Sequence, residues 1–175
     1  MKTSYILEKD AYLIVAQLMA AAARTAPKTR GIDNIKVIAI DDSSTKNRLI
    51  KKMKELSGLE KRPSFERDAN SITASAMIIV IGVKLNPARL DCGFCGYKTC
   101  EGLRKTRGVC AYNSIDLGIA ASSAASIANT FHIDNRIMYS IGKVCLCLKL
   151  FDKGVGIALG IPLSVTGKSP FFDRK

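Results

Sequence analysis

Cys92, Cys95, Cys100 and Cys110 follow the spacing C-x2-C-x4-C-x9-C. A cubane 4Fe-4S cluster takes one cysteine thiolate per iron, so a single short segment supplies the full ligand set. Gly93 and Gly96 each follow a cysteine. A backbone without Cβ can turn tightly there and aim N–H groups at anionic sulfur. Lys98, Arg104, Lys105 and Arg107 lie in the same stretch, where positive charge favours the reduced, more negative state of a cluster.

Structural zinc is the first rival, since it also takes four thiolates. It usually holds them as two close pairs with a longer connection between, a pattern that Cys100 and Cys110 do not make. A redox thiol site is the third reading. Cys110 is the least constrained of the four, because the run before it is long enough to carry it elsewhere. Cys145 lies on the apolar face of its expected helix and reads as a small buried hydrophobe. Cys147 points elsewhere, and either could stand as an exchangeable fifth ligand.

Other chemistries find little support. His132 is the only histidine, so Ser-His-Asp and Cys-His catalysis would both depend on that one residue. Gly154-x-Gly156 opens a strand instead of following one, no Walker loop is present, and the carboxylates are scattered.

The cysteines sit in a chain of 175 residues, 47% hydrophobic and 24% charged, which is enough for one domain with a real core. Its formal charge of +12 favours acidic partners. Aromatic residues are only 6% and tryptophan is absent, so stacking platforms for single-stranded nucleic acid are scarce. The mixed polarity of Met1 to Asp10 does not make a secretory signal, and Ala11 to Ala23 is too short to span a bilayer. A cytoplasmic, reducing location follows as the expectation, with disulfides the less favoured use of six cysteines.

The elements that must position the cysteines follow from apolar periodicity. Ile14, Val15, Leu18, Met19 and Ala22 predict a buried first helix closed by Pro27, and Val37 to Ile40 a short core strand. Asp41 to Ser44 predicts an N-cap for a basic helix over Thr45 to Leu56, and Ser64 to Ala74 a further helix. Met77 to Val83 is a continuous apolar run, expected as a central strand with the cysteine loop after it. Ser114 to Asn129, rich in Ala, Ser and Gly, predicts a thin helix able to approach its neighbours closely. Asp134 is expected to cap a last helix through Leu148, before a strand over Val155 to Ile161.

Cys92-Gly93-x-Cys95-Gly96-x-x-Thr99-Cys100 resembles the four-cysteine iron-sulfur domain of electron-transport and corrinoid proteins. There these residues bind a 4Fe-4S cluster, and the last cysteine generally lies further downstream than Cys110. The wider chain resembles a prokaryotic family of uncharacterised proteins described as containing a ferredoxin domain. That likeness rests on Ala26 to Asn34, Cys92 to Cys100, Ser114 to Gly118, Asp134 to Met138, and Gly160 to Pro162 through Gly167 to Arg174.

More distantly, Ala21-Ala22-Ala23-Arg24-x-Ala26-Pro27 before a strand, the small-residue helix and a strand ending Gly160-x-Pro162 resemble the flavin-dependent nitroreductases. The resemblance implies an α+β fold, a three-layer nitroreductase-like sheet flanked by helices, forming one domain over 1–175 with the iron-sulfur loop inserted at 91–110. It also implies a homodimer holding FMN at the subunit interface, with Lys28, Arg30 and Lys168 as candidates for the flavin phosphate and Thr29 adding a hydroxyl contact. The paired arginines of nitroreductases have no counterpart here, and Lys28 and Gly31 stand where that family has serine and asparagine.

The sequence therefore leads to an iron-sulfur redox protein that transfers single electrons through Cys92, Cys95, Cys100 and Cys110, coupled to FMN where one is bound. Its expected partner is an acidic ferredoxin or flavoprotein, with no membrane and nucleic acid disfavoured. The alternative is a non-enzymatic module in which zinc or a cluster stiffens a loop and the basic surface engages nucleic acid or acidic proteins.

Overall fold

The computed structural model describes residues 1–172. Its elements in chain order are α1 (Ser4–Thr25), β1 (Ile35–Ile40), α2 (Ser43–Leu59), α3 (Pro63–Ser71), β2 (Met77–Lys84), α4 (Cys100–Lys105), α5 (Ala111–Thr130), β3 (Asp134–Asn135), α6 (Tyr139–Cys147) and β4 (Val155–Ser164). The strands form one antiparallel sheet in the order β1-β2-β4-β3. β2 is central, which explains why Met77 to Val83 is apolar at every position except Gly82: the strand is buried on both faces.

Alternation along β2 divides the core into two layers. Met77, Ile79, Ile81 and Val83 face a cluster with Val15, Met19 and Ala23 of α1 and Leu117, Ala120, Ala121 and Ala124 of α5. Ile78 and Val80 face the other, built on Leu49 and Met53 of α2, Phe65 of α3, and Ile141, Val144 and Cys145 of α6. The result is the expected three-layer α+β arrangement, a sheet between two sets of helices. The alanine face of α5 lets it lie close to α1, where the Ser123 hydroxyl donates to the Ala22 carbonyl at 3.2 Å.

On the opposite layer α6 presses even closer to the sheet. A Cβ on Gly142 would collide with the backbone of Ala158 and Leu159 in β4, so that position admits no side chain.

Several local expectations change. α1 is buried on one side only: Val15, Ala16, Met19 and Ala23 face the core, whereas Ile14 and Leu18 are 57% and 40% exposed. Asp134 does not cap the last helix. It lies in β3 and pairs with Ser164 of β4, and α6 begins only at Tyr139, because Met138 is held by a bridge to Gly160 of β4. α3 ends at Ser71, three residues before the expected Ala74. Asp42 does cap α2, its carboxylate accepting from Thr45 N–H at 2.7 Å.

Candidate metal centre and adjoining cleft

Between β2 and α5 the only regular element is the short α4, and the turns around it are fixed by local hydrogen bonds. Gly93 and Gly96 both take positive φ, and Gly96 N–H donates to the Gly93 carbonyl at 2.8 Å. Asp91, itself at φ 46, closes the loop by accepting Cys100 N–H at 2.6 Å. Thr99 caps α4 by accepting Gly102 N–H at 3.1 Å, and buried Leu103 pins this short helix to the body. α4 falls where the sequence predicts only a loop, although Thr99 before it and Arg104 and Lys105 in its last turn are ordinary helix signals.

These turns bring Cys92, Cys95, Cys100 and Cys110 to the wall of one cavity, whose other lining includes Ala88, Leu90, Tyr97 and Ala111. Cys110 is buried and is the N-cap residue of α5, a helix of 20 residues. Among the described residues, no three Cys, His, Asp or Glu side chains converge on a single ion position.

A cleft of about 390 Å³ adjoins this cavity, lined by Thr29, Arg30, Asn34, Asn86, Ala88, Arg89, Tyr112, Asn113 and Asp116 among others. Ala88 belongs to both walls. A second, more open hollow of about 790 Å³ shares Asn86, Pro87 and Arg89 with the cleft and reaches Cys100, Glu101 and Arg104. The rings of Phe94 in the cysteine loop and Tyr112 in the cleft wall stack at 5.8 Å.

The cleft is built on a buried carboxylate. Asp116 of α5 accepts both the backbone N–H of Thr29, at 3.0 Å, and its hydroxyl, at 2.8 Å, which ties the turn after α1 to the neighbouring helix of the same layer. Arg30 in that turn adopts φ 59 and donates to the Ala88 carbonyl at 3.1 Å. Asn113 is 2% exposed and donates to the Asn86 carbonyl, yet its Oδ1 has no hydrogen-bond partner. An orphaned buried acceptor costs about 1–3 kcal/mol unless something donates to it.

Of the sequence-predicted flavin residues, Thr29 and Arg30 line the cleft, and Lys28 and Lys168 are not among its lining residues. Lys28 is 5% exposed at its side chain and donates to the carbonyls of Ala23, Arg24 and Ala26, capping the C-terminal end of α1. Lys168 follows β4, and its carbonyl accepts the Thr166 hydroxyl.

Asn113, Asp116, Asn86, Arg89 and Tyr112 were not singled out from sequence. Asp116 was the detectable one, a lone carboxylate in an otherwise small, apolar helix. Cys145 and Cys147 lie on α6 and do not line the cysteine cavity. Burial pushes the Cys145 thiol up to about 12, so it stays protonated and inert at neutral pH.

Comparison with known proteins accords with this architecture. Residues 106–174 match the family described as "uncharacterized protein containing a ferredoxin domain"; of the four cysteines only Cys110 falls within the match. An uncharacterized protein of Archaeoglobus fulgidus is 39% identical over 171 residues, covering 92% of this chain and 90% of its own. Among solved structures, a nitroreductase with bound FMN from Bacteroides fragilis aligns with a TM-score of 0.65 at 9% identity, covering 92% of this chain and 81% of its own. A nitroreductase with bound FMN from Desulfitobacterium hafniense aligns at 0.63 and 15%, covering 88% and 78%. Identities this low speak to fold alone, and the fold is nitroreductase-like. Taken with the near full-length likeness to the Archaeoglobus protein, the match at 106–174 shows that the chain belongs to the family of uncharacterized proteins containing a ferredoxin domain.

Proposed function

We propose that this protein is a one-electron redox carrier whose Cys92, Cys95, Cys100 and Cys110 hold a 4Fe-4S cluster. The observation that carries the reading is that all four cysteines line a single cavity although they come from two turns, the start of α4 and the cap of α5. Zinc would need four sulfurs each about 2.3 Å from one ion, whereas a cubane spreads its ligands over four irons. The apolar Ala88, Leu90 and Ala111 suit inorganic sulfide better than water. When bound, the cluster supplies reversible uptake of one electron. The chain's own residues position the ligands through Asp91, Thr99 and the α5 cap, and limit water at Cys110.

The ferredoxin domain in the family's description and FMN in the fold's neighbours support a second group in the cleft. Its volume and its polar wall fit a flavin, with Asn113 Oδ1 as an acceptor for a ring N–H and Arg30 and Arg89 as partners for anionic oxygen. The phosphate role expected of Lys28 then passes to these arginines, since the Lys28 ammonium is already surrounded by carbonyls.

Ile14 and Leu18 of α1 and Ile115 and Ile119 of α5 are exposed on two helices that pack together. A second copy is the occupant we assign to them. Six free thiols fit a reducing cytoplasm, and among the described residues no helix is long and apolar enough to cross a membrane.

Cys100→Ser tests the cluster reading. Anaerobically purified wild type is expected to be brown and bleached by dithionite, and the variant colourless but folded by circular dichroism. A variant with an unchanged visible spectrum overturns the ligand assignment.

A further inference from the structure

The surface around the cysteine cavity carries more exposed apolar and cationic side chains than the cluster and the cleft require. Leu90, Phe94, Tyr97 and Val109 are 43%, 70%, 36% and 41% exposed, and each is close in chain to a cavity-lining residue or is one itself. Apolar groups this exposed, gathered in one segment, gain little from the fold and suit a contact surface. The same stretch carries five cations, Arg89, Lys98, Arg104, Lys105 and Arg107, all exposed. The same stretch holds two carboxylates, and both are engaged: Asp91 accepts Cys100 N–H, and Glu101 lies 3.5 Å from Arg104.

The segment also keeps this surface fixed. Asp91 and Thr99 brace its turns, Leu103 anchors α4, and the Phe94–Tyr112 stack holds the loop tip against α5. An apolar centre with a charged rim is the usual anatomy of a transient protein interface.

We propose that Leu90, Phe94, Tyr97 and Val109, together with the exposed cations Arg89, Lys98, Arg104, Lys105 and Arg107 of the same segment, form the docking face for an acidic one-electron carrier protein. The proposal rests on the cluster reading for its purpose and on charge complementarity for its occupant. The cysteines lie in the cavity beneath, so a carrier seated here receives one electron over a short path and leaves with one more negative charge, while the donor's centre is oxidised by one. The rim speeds encounter and weakens with salt, because steering between exposed charges is screened beyond about 10 Å at 0.1 M.

Binding and electron transfer can be read separately, so a missing cluster does not obscure the surface. The probe is a fluorescently labelled acidic flavodoxin, titrated with the protein at low salt and followed by anisotropy. Lys98→Glu with Lys105→Glu is expected to weaken binding at least tenfold. Lys51→Glu with Lys54→Glu, which changes net charge equally on the exposed side of α2, is expected to change it less than twofold.

Equal weakening by both pairs, or by neither, overturns the proposal. So does tighter binding of a labelled DNA duplex than of flavodoxin, or a shift in oligomeric state caused by Lys98→Glu with Lys105→Glu. Stopped-flow oxidation of the dithionite-reduced protein by the same flavodoxin then reports the electron step. Rim-dependent binding without any transfer would sink the cluster reading and leave the surface standing.

Discussion

Removing Asp116 tests how the cleft is held together. Its carboxylate accepts two hydrogen bonds from Thr29, one from the backbone and one from the hydroxyl, across 87 residues of sequence. Bonds to a charged acceptor are worth about 1.5–3 kcal/mol each. Thr29 is only half-buried, so water recovers part of the loss, and Asp116→Ala should cost about 2–3 kcal/mol. Asp116→Asn keeps an oxygen where Oδ1 accepts both bonds and loses only the charge, so it should cost roughly half as much. Thr29→Val removes the hydroxyl bond alone, at about 1 kcal/mol, and its cycle with Asp116→Ala should show a coupling of about 1 kcal/mol. Urea unfolding at neutral pH is the assay, where the Ala variant should shift the midpoint by about 1–2 M at typical slopes. Strict additivity in the cycle, or an Ala variant within about 0.5 kcal/mol of wild type, refutes the idea that this carboxylate ties the turn to α5.

Lys28→Met should lower Tm, with a stability loss on the order of 2 kcal/mol from three carbonyls at the end of α1, while FMN binding measured by equilibrium dialysis stays unchanged. In the same assay, Arg89→Ala and Asn113→Ala should weaken FMN, and Lys28→Met weakening it equally would return the phosphate role to Lys28. Gly142→Ala should prevent accumulation of folded protein or cut stability by more than about 3 kcal/mol, because α6 must lift off β4; a near-native Tm would contradict the observed packing. The Thr45 hydrogen bonds hold the Asp42 carboxyl below its ordinary value of 3.8, so its capping contribution is present above that pH and is lost as pH falls through the lower folded value. The Tm difference between wild type and Asp42→Ala should accordingly be constant near neutrality and close under acid; a gap that widens on acidification would reverse the sign.

What could be read from sequence was what local chemistry dictates. β2 announced itself as central because both of its faces are buried, and α5 because close helix approach demands small side chains. Asp42 was legible as a cap because the bond it makes is three residues away. Asp134 misled for the opposite reason. Its residue type suits a cap, but pairing with Ser164 is a contact 30 residues distant that periodicity does not encode. α1 was misjudged because Ile14 and Leu18 fit the helical repeat as well as Val15 and Met19 do, and only the placement of α5 and the sheet decides which face is covered.

The same division runs through the site. The cysteine spacing was visible at once, while the cavity that gathers Cys110 with the other three depends on where α5 begins. The cleft was nearly invisible. Asp116, Asn113 and Asn86 gain meaning only when α5 and the loop after β2 meet the turn after α1, and Lys28 looked available until the end of α1 was seen beside it.

Iron and acid-labile sulfide, quantified per chain in anaerobically purified protein, test the central claim most directly. The cluster reading predicts about four of each per chain, with a paramagnetic signal appearing on one-electron reduction. Stoichiometric zinc without sulfide would contradict it.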